Sequence, residues 1–315
     1  MLPQEGKTQK KTKQSAKRRR GKRARKGRTQ RETGHKMDLR KLTSAAERVV
    51  YDAGRHVLQE RTGTVLVSDE HEAAAELSAV SEVNDKLVRY LRAECVKLDP
   101  LNGFWEEVGY ERRPGEYYWC AGGLDGAINY GRQMSEWTVT LSIFTVDDSF
   151  NPRPVSGVVH VPVFGLSFMG AEGEGGVRIN RTDSGIRRYP MKPSIQRSVD
   201  SAVICFGMSY FSEESKQALE VVSRLAGHPA DVKRVGPASL DICRVACGTY
   251  DAYFEPRLHS WDVPAMSAAI PIARAAGAHI STWEGRELNW HESNDVVATN
   301  GVIDGDLMPY LRGRE

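Results

Sequence analysis

Residues 118–129 constrain the fold of this chain more than any other segment. A short apolar run, Tyr-Trp-Cys-Ala, is followed at once by Gly122-Gly123-Leu124-Asp125-Gly126. Apolar and aromatic residues favour a strand, and a cluster of glycines with an acid favours a turn that ends it. The glycine spacing matches neither the phosphate-binding loop of P-loop NTPases nor the dinucleotide-binding fingerprint. The segment therefore predicts a strand and a tight turn, outside both of those nucleotide-binding classes.

The chain beyond residue 37 shows the two periodicities of a mixed α/β protein. Apolar residues spaced three and four apart predict helices, and alternating apolar residues predict strands. The first half is predicted to hold two helices and an antiparallel sheet, and the second half alternates strands with helices, which indicates layered α and β structure around one continuous site. Helices are predicted over 38–63, 81–96, 213–226, 238–247 and 264–276, and strands over 137–146, 155–162, 164–169, 201–206, 231–235, 250–255 and 279–282.

The net charge of +3 hides a strong asymmetry between two parts of the chain. Residues 1–36 hold 15 lysines and arginines and two acids, which leaves 29 basic and 39 acidic residues in 37–315. From residue 6 to residue 36 there is no Val, Ile, Leu, Phe, Trp or Tyr. A segment without apolar side chains cannot offset the entropy lost on ordering. We therefore expect a disordered basic arm, 1–36, attached to an acidic globular domain, 37–315.

The arm has the composition of a polyanion-binding segment. Residues 7–31 would bind nucleic acid through counterion release, in a salt-dependent and sequence-independent way. They include no aromatic side chains that could stack on bases. A nuclear-localisation address has the same composition. Another interpretation starts translation at Met37, where an ordinary helix begins. The core of the predicted nucleic-acid contact consists of Arg18, Arg19, Arg20, Lys22, Arg23, Arg25 and Lys26.

Several functional classes are disfavoured by composition. No apolar run is long enough to cross a bilayer and no signal peptide is present, so we expect a cytoplasmic protein without a membrane partner. The five cysteines are odd in number and widely spaced, which favours reduced thiols. Cys243 and Cys247 lie four apart on a predicted helix and could ligate a metal, but core packing is the favoured interpretation because no second ligand pair accompanies them.

Four sequence blocks occur in order along the globular part. They are Val-Ser-Glu-Val-Asn at 80–84, Gly-Phe-Trp-Glu-Glu at 103–107, the segment 119–129, and 236–263, which ends in His-Ser-Trp-Asp-Val. Together they resemble the inositol monophosphatase family, whose third block has the pattern W-x-x-D-P-[IL]-D-G-T-x-N. The resemblance covers most of 38–312. It implies an αβαβα sandwich, a homodimer, and Mg²⁺-dependent hydrolysis of a phosphate monoester, with an inositol, sugar or nucleotide phosphate as the small-molecule partner.

The resemblance also implies roles for individual residues. Mg²⁺ takes oxygen ligands, and such ions polarise a phosphoryl group and activate water. Carried over, the metal ligands are Glu106, Asp125, Asp262 and the backbone carbonyl of Leu124. The catalytic positions are Asn84, Glu106 and Ala127. Substrate would be bound by Asp125, by the N–H groups of Gly126 and Ala127 at the start of a helix, and by Ala238 and Glu255.

Three positions depart from the family pattern. Gly122 stands where the family has an Asp shared by two metal ions, Ala127 where it has a Thr that orients water, and Asn84 where it has the Asp that partners that Thr. An Asn holds water but cannot take its proton at neutral pH. We therefore expect weakened hydrolysis with fewer bound ions. The alternative is an inactive pseudophosphatase that serves as a binding or scaffold protein, with the basic arm on nucleic acid.

Each retained acid also has a plain structural interpretation. Asp125 and Asp262 precede predicted helices and could cap them. Glu255 precedes a proline and could be a solvated loop residue. The acids Glu82 and Asp85 flank Asn84 and could replace it after a one-residue shift. His259 near Asp262 suggests a serine hydrolase, but the chain has no G-x-S-x-G segment, which disfavours that class.

Overall fold

A computed structural model describes residues 38–61, 70–108 and 112–313, with side chains described from residue 80 onward in the second range. The predicted basic arm lies outside the described residues. The helices are α1 Leu39–Glu60, α2 Glu70–Leu98, α3 Trp105–Val108, α4 Ala127–Gly131, α5 Ser212–Leu225, α6 Ala238–Ala246, α7 Val263–Ala276 and α8 Asp304–Arg312. The strands are β1 Gly103–Phe104, β2 Tyr118–Asp125, β3 Thr138–Val146, β4 Pro152–Val161, β5 Leu166–Ala171, β6 Val177–Thr182, β7 Gly185–Pro190, β8 Val203–Phe206, β9 Asp231–Lys233, β10 Ala252–Glu255, β11 His279–Ser281 and β12 Val296–Thr299.

Strands β1 to β7 form one sheet in chain order, antiparallel except for the β1–β2 pair. Side chains alternate across it, so the two faces of β4 meet different helices. On one face Ser156 shares a 2.7 Å hydrogen bond with Thr43 of α1. On the other face Gly157 lies so close to α7 that a Cβ atom there would overlap the Ala268 carbonyl. This close approach seats α7, and the acid at its start, directly on the sheet.

The second sheet has the order β11-β12-β10-β8-β9, with β8, β9 and β10 parallel. Helices α6 and α7 lie between the two sheets, and their apolar side chains share one core with residues of both. Helices α5 and α8 cover the outer face of the second sheet. The layers therefore run α, β, α, β, α, which confirms the predicted sandwich. Parallel β8 and β10 end at the same edge, and Glu255 is the last residue of β10.

The structure differs from the sequence-based assignment mainly in helices and strands that are polar or that have no buried face. Helix α2 begins at residue 70 rather than 81, because 70–80 is rich in helix-forming Ala and Glu but has little apolar periodicity. Strand β7 is exposed along its whole length and so shows no alternation. Strand β12 and helix α8 were also not predicted. Across the described ranges, no helix combines the length and apolar character that spanning a membrane requires.

Candidate active site

The glycine-rich turn forms at the end of β2, where the predicted strand ends. The pairing of β2 with β3 shifts register between Ala121 and Gly123, so Gly122 bulges from the ladder. Gly123 has a φ of +67°, and a side chain there would overlap the Asn84 carboxamide. Asn84 projects from α2, and its Oδ1 accepts the Leu124 N–H at 2.8 Å. Asn84 thus faces the turn as predicted, with its side-chain oxygen holding the backbone.

Asp125, at the tip of the turn, is held by the start of α6. Its Oδ2 accepts hydrogen bonds from the Ser239 hydroxyl at 2.6 Å and the Ser239 N–H at 3.2 Å. Burial raises the pKa of this carboxyl, against the lowering effect of those bonds. The N-terminal cap of α4 is Gly126. The structure therefore places the Asp125 carboxylate against the start of α6, whose first residue is Ala238.

Asp262 and Glu255 reach the same edge from β10 and the segment after it. Asp262 makes no side-chain cap for α7, since its Oδ2 accepts the His259 N–H at 2.7 Å. Burial raises its pKa to about 6, and the charge of Asp125 adds to this. Glu255 is buried and accepts the Tyr253 hydroxyl at 2.6 Å. Burial, with the charges of Asp262 and Asp125, raises the pKa of Glu255 to about 8. Glu255 is therefore not a solvated loop residue.

Asp125, Asp262 and Glu255 form an acidic cluster. Within the described part of the chain none of the three makes an ion pair with a basic side chain at contact distance, although the charge of Arg234 lowers the pKa of Glu255 and that of His259 lowers the pKa of Asp262. Nor do any three His, Cys, Asp or Glu side chains of those ranges lie close enough to hold a metal ion by themselves. Mg²⁺ suits such a site, because it combines one or two carboxylates with carbonyl, phosphate and water oxygens. Asp125, Asp262 and the Leu124 carbonyl are the groups here that could hold such a cation.

Glu106 contacts a basic side chain. It is the second residue of the short helix α3, and its Oε2 lies 3.5 Å from a guanidinium nitrogen of Arg92. The same guanidinium contacts Glu107 and covers the Phe104 ring. Burial raises the pKa of the Cys120 thiol well above its ordinary value, with the Glu106 charge as the next cause. The structure thus places Glu106 beside a protein cation, Arg92.

A hydroxyl occupies the space beside position 122, where the family pattern has an Asp. A Cβ atom on Gly122 would overlap the Thr140 hydroxyl and approach the Pro264 carbonyl to 3.1 Å. On either side of Thr140 along β3, Thr138 bonds Ser239 at 2.8 Å and Ser142 bonds Ser267 at 2.7 Å. The Thr140 hydroxyl, fully buried between them, has no hydrogen-bond partner among the described residues. A side chain at position 122 would therefore have to displace the Thr140 hydroxyl.

Comparison with known proteins identifies the family. A model described as "Inositol monophosphatase family" matches residues 38–314. This chain belongs to that family. A Nus factor SuhB from Xylella fastidiosa is 25% identical over 208 residues, or 66% of this chain and 70% of the relative. An inositol-1-monophosphatase from Rhizobium meliloti is 28% identical over 209 residues, or 65% and 73%. The solved inositol monophosphatase from Anabaena has the same fold, with a TM-score of 0.69 and 23% identity over 89% of this chain and 98% of that one.

Inositol monophosphatases are Mg²⁺-dependent enzymes, and this member keeps some features of their site and alters others. Helix α4 begins at Ala127 behind Gly126, whose φ of +87° places it in the left-handed region. The predicted helix start is therefore present. The family pattern has proline at position 123, and proline cannot adopt the positive φ found for Gly123. The turn thus follows a backbone path that the family motif excludes.

Sequence reasoning missed three residues that shape this site. Ser239 fixes Asp125, Arg92 pairs with Glu106, and Thr140 fills the space at position 122. Ser239 follows the Gly-Pro-Ala segment of the fourth block, which was its only signal. Arg92 and Thr140 lie on an ordinary helix and strand. Glu82 and Asp85 are exposed beside Asn84, and only Asn84 reaches the turn.

Proposed function

We propose that this protein binds one Mg²⁺ ion and a phosphate monoester beside the β2 turn and hydrolyses the ester slowly. The observation that carries the proposal is the acidic cluster of Asp125, Asp262 and Glu255. Asp125 ends β2, Glu255 ends β10 and Asp262 precedes α7. The charge of Asp125 raises the pKa of Asp262, both of those acids raise the pKa of Glu255, and none of the three has a contacting cation among the described residues, Arg234 acting on Glu255 without forming an ion pair. Buried carboxylates without a counter-charge are unfavourable unless a ligand supplies one.

The chain's own residues have distinct tasks in this proposal. Asp125, Asp262 and the Leu124 carbonyl hold the cation, and the N–H groups of Gly126 and Ala127 hold the phosphate. When bound, Mg²⁺ supplies an acidified water and screens charge on the phosphoryl oxygens. Glu255, buried at the same edge and bonded to the Tyr253 hydroxyl, holds a substrate hydroxyl.

Slow turnover follows from the groups around the turn. The Asn84 carboxamide cannot accept a proton, and its oxygen already accepts the Leu124 N–H. Ala127 has no hydroxyl to orient water. Glu106 sits with Arg92, so a second cation there would compete with a guanidinium. Removal of one such group slows enzymes by orders of magnitude, and here several are changed together.

A second candidate function is binding without turnover, as a pseudophosphatase in a homodimer. Two observations favour it: the closed space at Gly122 and Thr140, and relatives that carry the name Nus factor SuhB. In this form the arm, 7–31, would add contacts to nucleic acid. The named relatives come from bacteria, so we place the protein in the cytoplasm and give the arm no nuclear address.

Phosphate release separates the two candidates. The purified chain is assayed with excess Mg²⁺ against inositol, sugar and nucleotide monophosphates, beside Asp262→Asn and a control on an exposed acid, Asp183→Asn. Turnover that Asp262→Asn abolishes and Asp183→Asn retains establishes the phosphatase. No turnover by the natural chain, with turnover in a variant carrying Gly122→Asp, Thr140→Ala, Ala127→Thr and Asn84→Asp, establishes the binding protein.

Nucleic-acid affinity tests the arm separately. The full chain is compared with one that starts at Met37, across a series of salt concentrations. If the arm contacts phosphates, affinity of the full chain falls with salt with a slope near −0.9 per phosphate contact on duplex DNA. Equal affinities and slopes for the two chains would contradict an arm that binds nucleic acid.

A further inference from the structure

The last strand of the seven-stranded sheet has an open edge. Strand β7 pairs with β6, and no other described strand lies on its outer side. The strand is exposed along its whole length, including Ile186 at 61% and Tyr189 at 37%. An edge strand presents a row of backbone N–H and C=O groups with which a further strand can pair. An extended segment can therefore be added to the sheet here.

Three arginines surround this edge. Arg188 points to the face that α1 covers, because it lines a cavity together with residues of that helix, and Arg187 points to the other face. Both are exposed, and neither makes an ion pair with a described residue. The Arg178 guanidinium of β6 lies 5.1 Å from the centroid of the Tyr189 ring, and its Nε has no hydrogen-bond partner among the described residues. The edge thus holds three cations that no described acid contacts.

A cavity adjoins the edge on the α1 face. Its volume is about 440 Å³, and it lies between the start of α1, the turn after β5 and the end of β7. Glu174 is the only acid among its described lining residues, and Arg40 lies 3.9 Å from it. Successive side chains of a strand point to opposite faces, so a strand added to β7 would place every second side chain over this cavity. The apolar part of the lining consists of Met169, Ala171, Val177 and Pro190.

Charge decides which partner fits this edge. A second copy of the chain, paired β7 to β7, would bring arginines against arginines, and like charges on neighbouring strands are destabilising. The basic arm, 1–36, carries the same sign and is disfavoured for the same reason. Acidic side chains of an added strand would instead lie beside cations that lack a partner. Nucleic acid also supplies negative charge, but it has no peptide backbone to pair with a strand.

We propose that β7 and the adjoining cavity bind an extended acidic segment of another protein, which pairs with β7 as an eighth strand. Backbone hydrogen bonds supply affinity in this mode of recognition, and side-chain pockets supply specificity. The arginines and the apolar cavity select a segment in which acidic and apolar residues alternate. Charge at a sheet edge also protects against aggregation, and the cavity beside it is the observation that points further, to a partner. The surface uses no residue of the candidate active site, so the inference is independent of the proposed function.

Binding of defined peptides to the full chain tests the proposal. One labelled peptide has eight residues of alternating Glu and Val. The other has the same charge, but prolines replace its central valines, so that it cannot pair as a strand. Fluorescence anisotropy in about 0.15 M salt, which screens distant charges, should show the first peptide binding about tenfold more tightly. Hydrogen–deuterium exchange of the complex should be slower at 185–190 than in the free chain.

Charge reversal at the edge gives the second measurement. The double variant Arg187→Glu and Arg188→Glu should weaken the Glu–Val peptide about tenfold, because it removes two ion pairs and adds repulsion. The double variant Arg197→Glu and Arg286→Glu, on exposed arginines outside β7 and the cavity, makes the same change in net charge and should leave the affinity unchanged. Circular dichroism and thermal unfolding establish that both variants are folded.

Four outcomes would overturn the proposal. Equal affinities of the natural chain for the two peptides would show that charge alone, including that of the basic arm, holds them. Slower exchange only outside 185–190 would place the peptide elsewhere. A single-stranded oligonucleotide that lost as much affinity as the Glu–Val peptide in the edge variant would make this a phosphate-binding surface. A dimer that became a monomer in the edge variant, with peptide affinity unchanged, would make β7 a subunit contact instead.

Discussion

Two buried glutamates in this protein are neutralised in opposite ways. Glu47, on α1, is 1% exposed and pairs with Arg181 at 2.7 Å, and the same guanidinium lies over the Tyr51 ring. Glu255, at the end of β10, is 8% exposed, and its partner is the neutral Tyr253 hydroxyl. Its charged neighbours are Asp262 and Asp125, which raise its pKa, and Arg234, which lowers it without forming an ion pair. The core glutamate therefore has a cation in direct contact, whereas the glutamate of the candidate site does not.

The largest expected effect is on the pH dependence of stability, through Glu255. Its pKa is about 8 in the folded protein and near the ordinary 4.5 when unfolded. The folded state thus holds a proton that the unfolded state releases, so stability is lost as pH rises from about 4.5 to 8. The full loss is about 5 kcal/mol. Glu255→Gln should flatten this slope in urea unfolding with EDTA and make the variant more stable than the natural chain at pH 8.

Asp183→Asn, on the exposed acid of the β6–β7 turn, is the control for that slope. It lies outside the acidic cluster, so the variant should lose stability with rising pH as the natural chain does. Equal slopes for the natural chain and Glu255→Gln would contradict an uncompensated carboxyl at the site. Addition of Mg²⁺ should restore stability to the natural chain above pH 6, because the ion binds the charged form of Asp262 and stabilises the folded state.

The second expected effect is a loss of stability at neutral pH when the core pair is broken. Glu47→Gln leaves the buried Arg181 guanidinium without a counter-charge, which should lower the free energy of unfolding by about 3 to 5 kcal/mol. Urea unfolding at pH 7 measures it. The double variant with Arg181→Met removes both charges and should recover most of the loss. A double variant as unstable as the single one would show that packing, not charge, dominates at this position.

Most of the fold could be predicted from the sequence because its elements are periodic and half-buried. Helix α1 and strand β3 ended within a few residues of their predicted bounds. The exposed β7 was missed because a strand without a buried face has no alternation to detect. The resemblance to the inositol monophosphatases, which the family match confirms, gave the order of the layers.

The candidate site was predictable in its acids and not in their partners. Asp125 and Asp262 stand in recognisable motifs, so their roles could be carried over as predictions. Which protein groups each of these acids contacts depends on packing between segments that are separate in the sequence. Arg92 reaches Glu106 from one helix, and Thr140 reaches Gly122 from the next strand, and neither residue has a local pattern that would reveal this. Long-range packing therefore decides which carboxylates can share a cation.

The smallest expected effect tests whether position 122 can regain its family residue. Gly122→Asp alone should lower the free energy of unfolding by about 1 to 3 kcal/mol, because its Cβ overlaps the buried Thr140 hydroxyl and the neighbours must shift. Thr140→Ala alone should cost only about 1 kcal/mol, because the hydroxyl it removes has no partner among the described residues and the main loss is one buried methyl group. The two together should be more stable than Gly122→Asp and should bind Mg²⁺ more tightly than the natural chain in calorimetry. If the two substitutions proved additive in both measurements, the hydroxyl would not be what keeps a carboxylate out, and the close Pro264 carbonyl would be the obstacle instead.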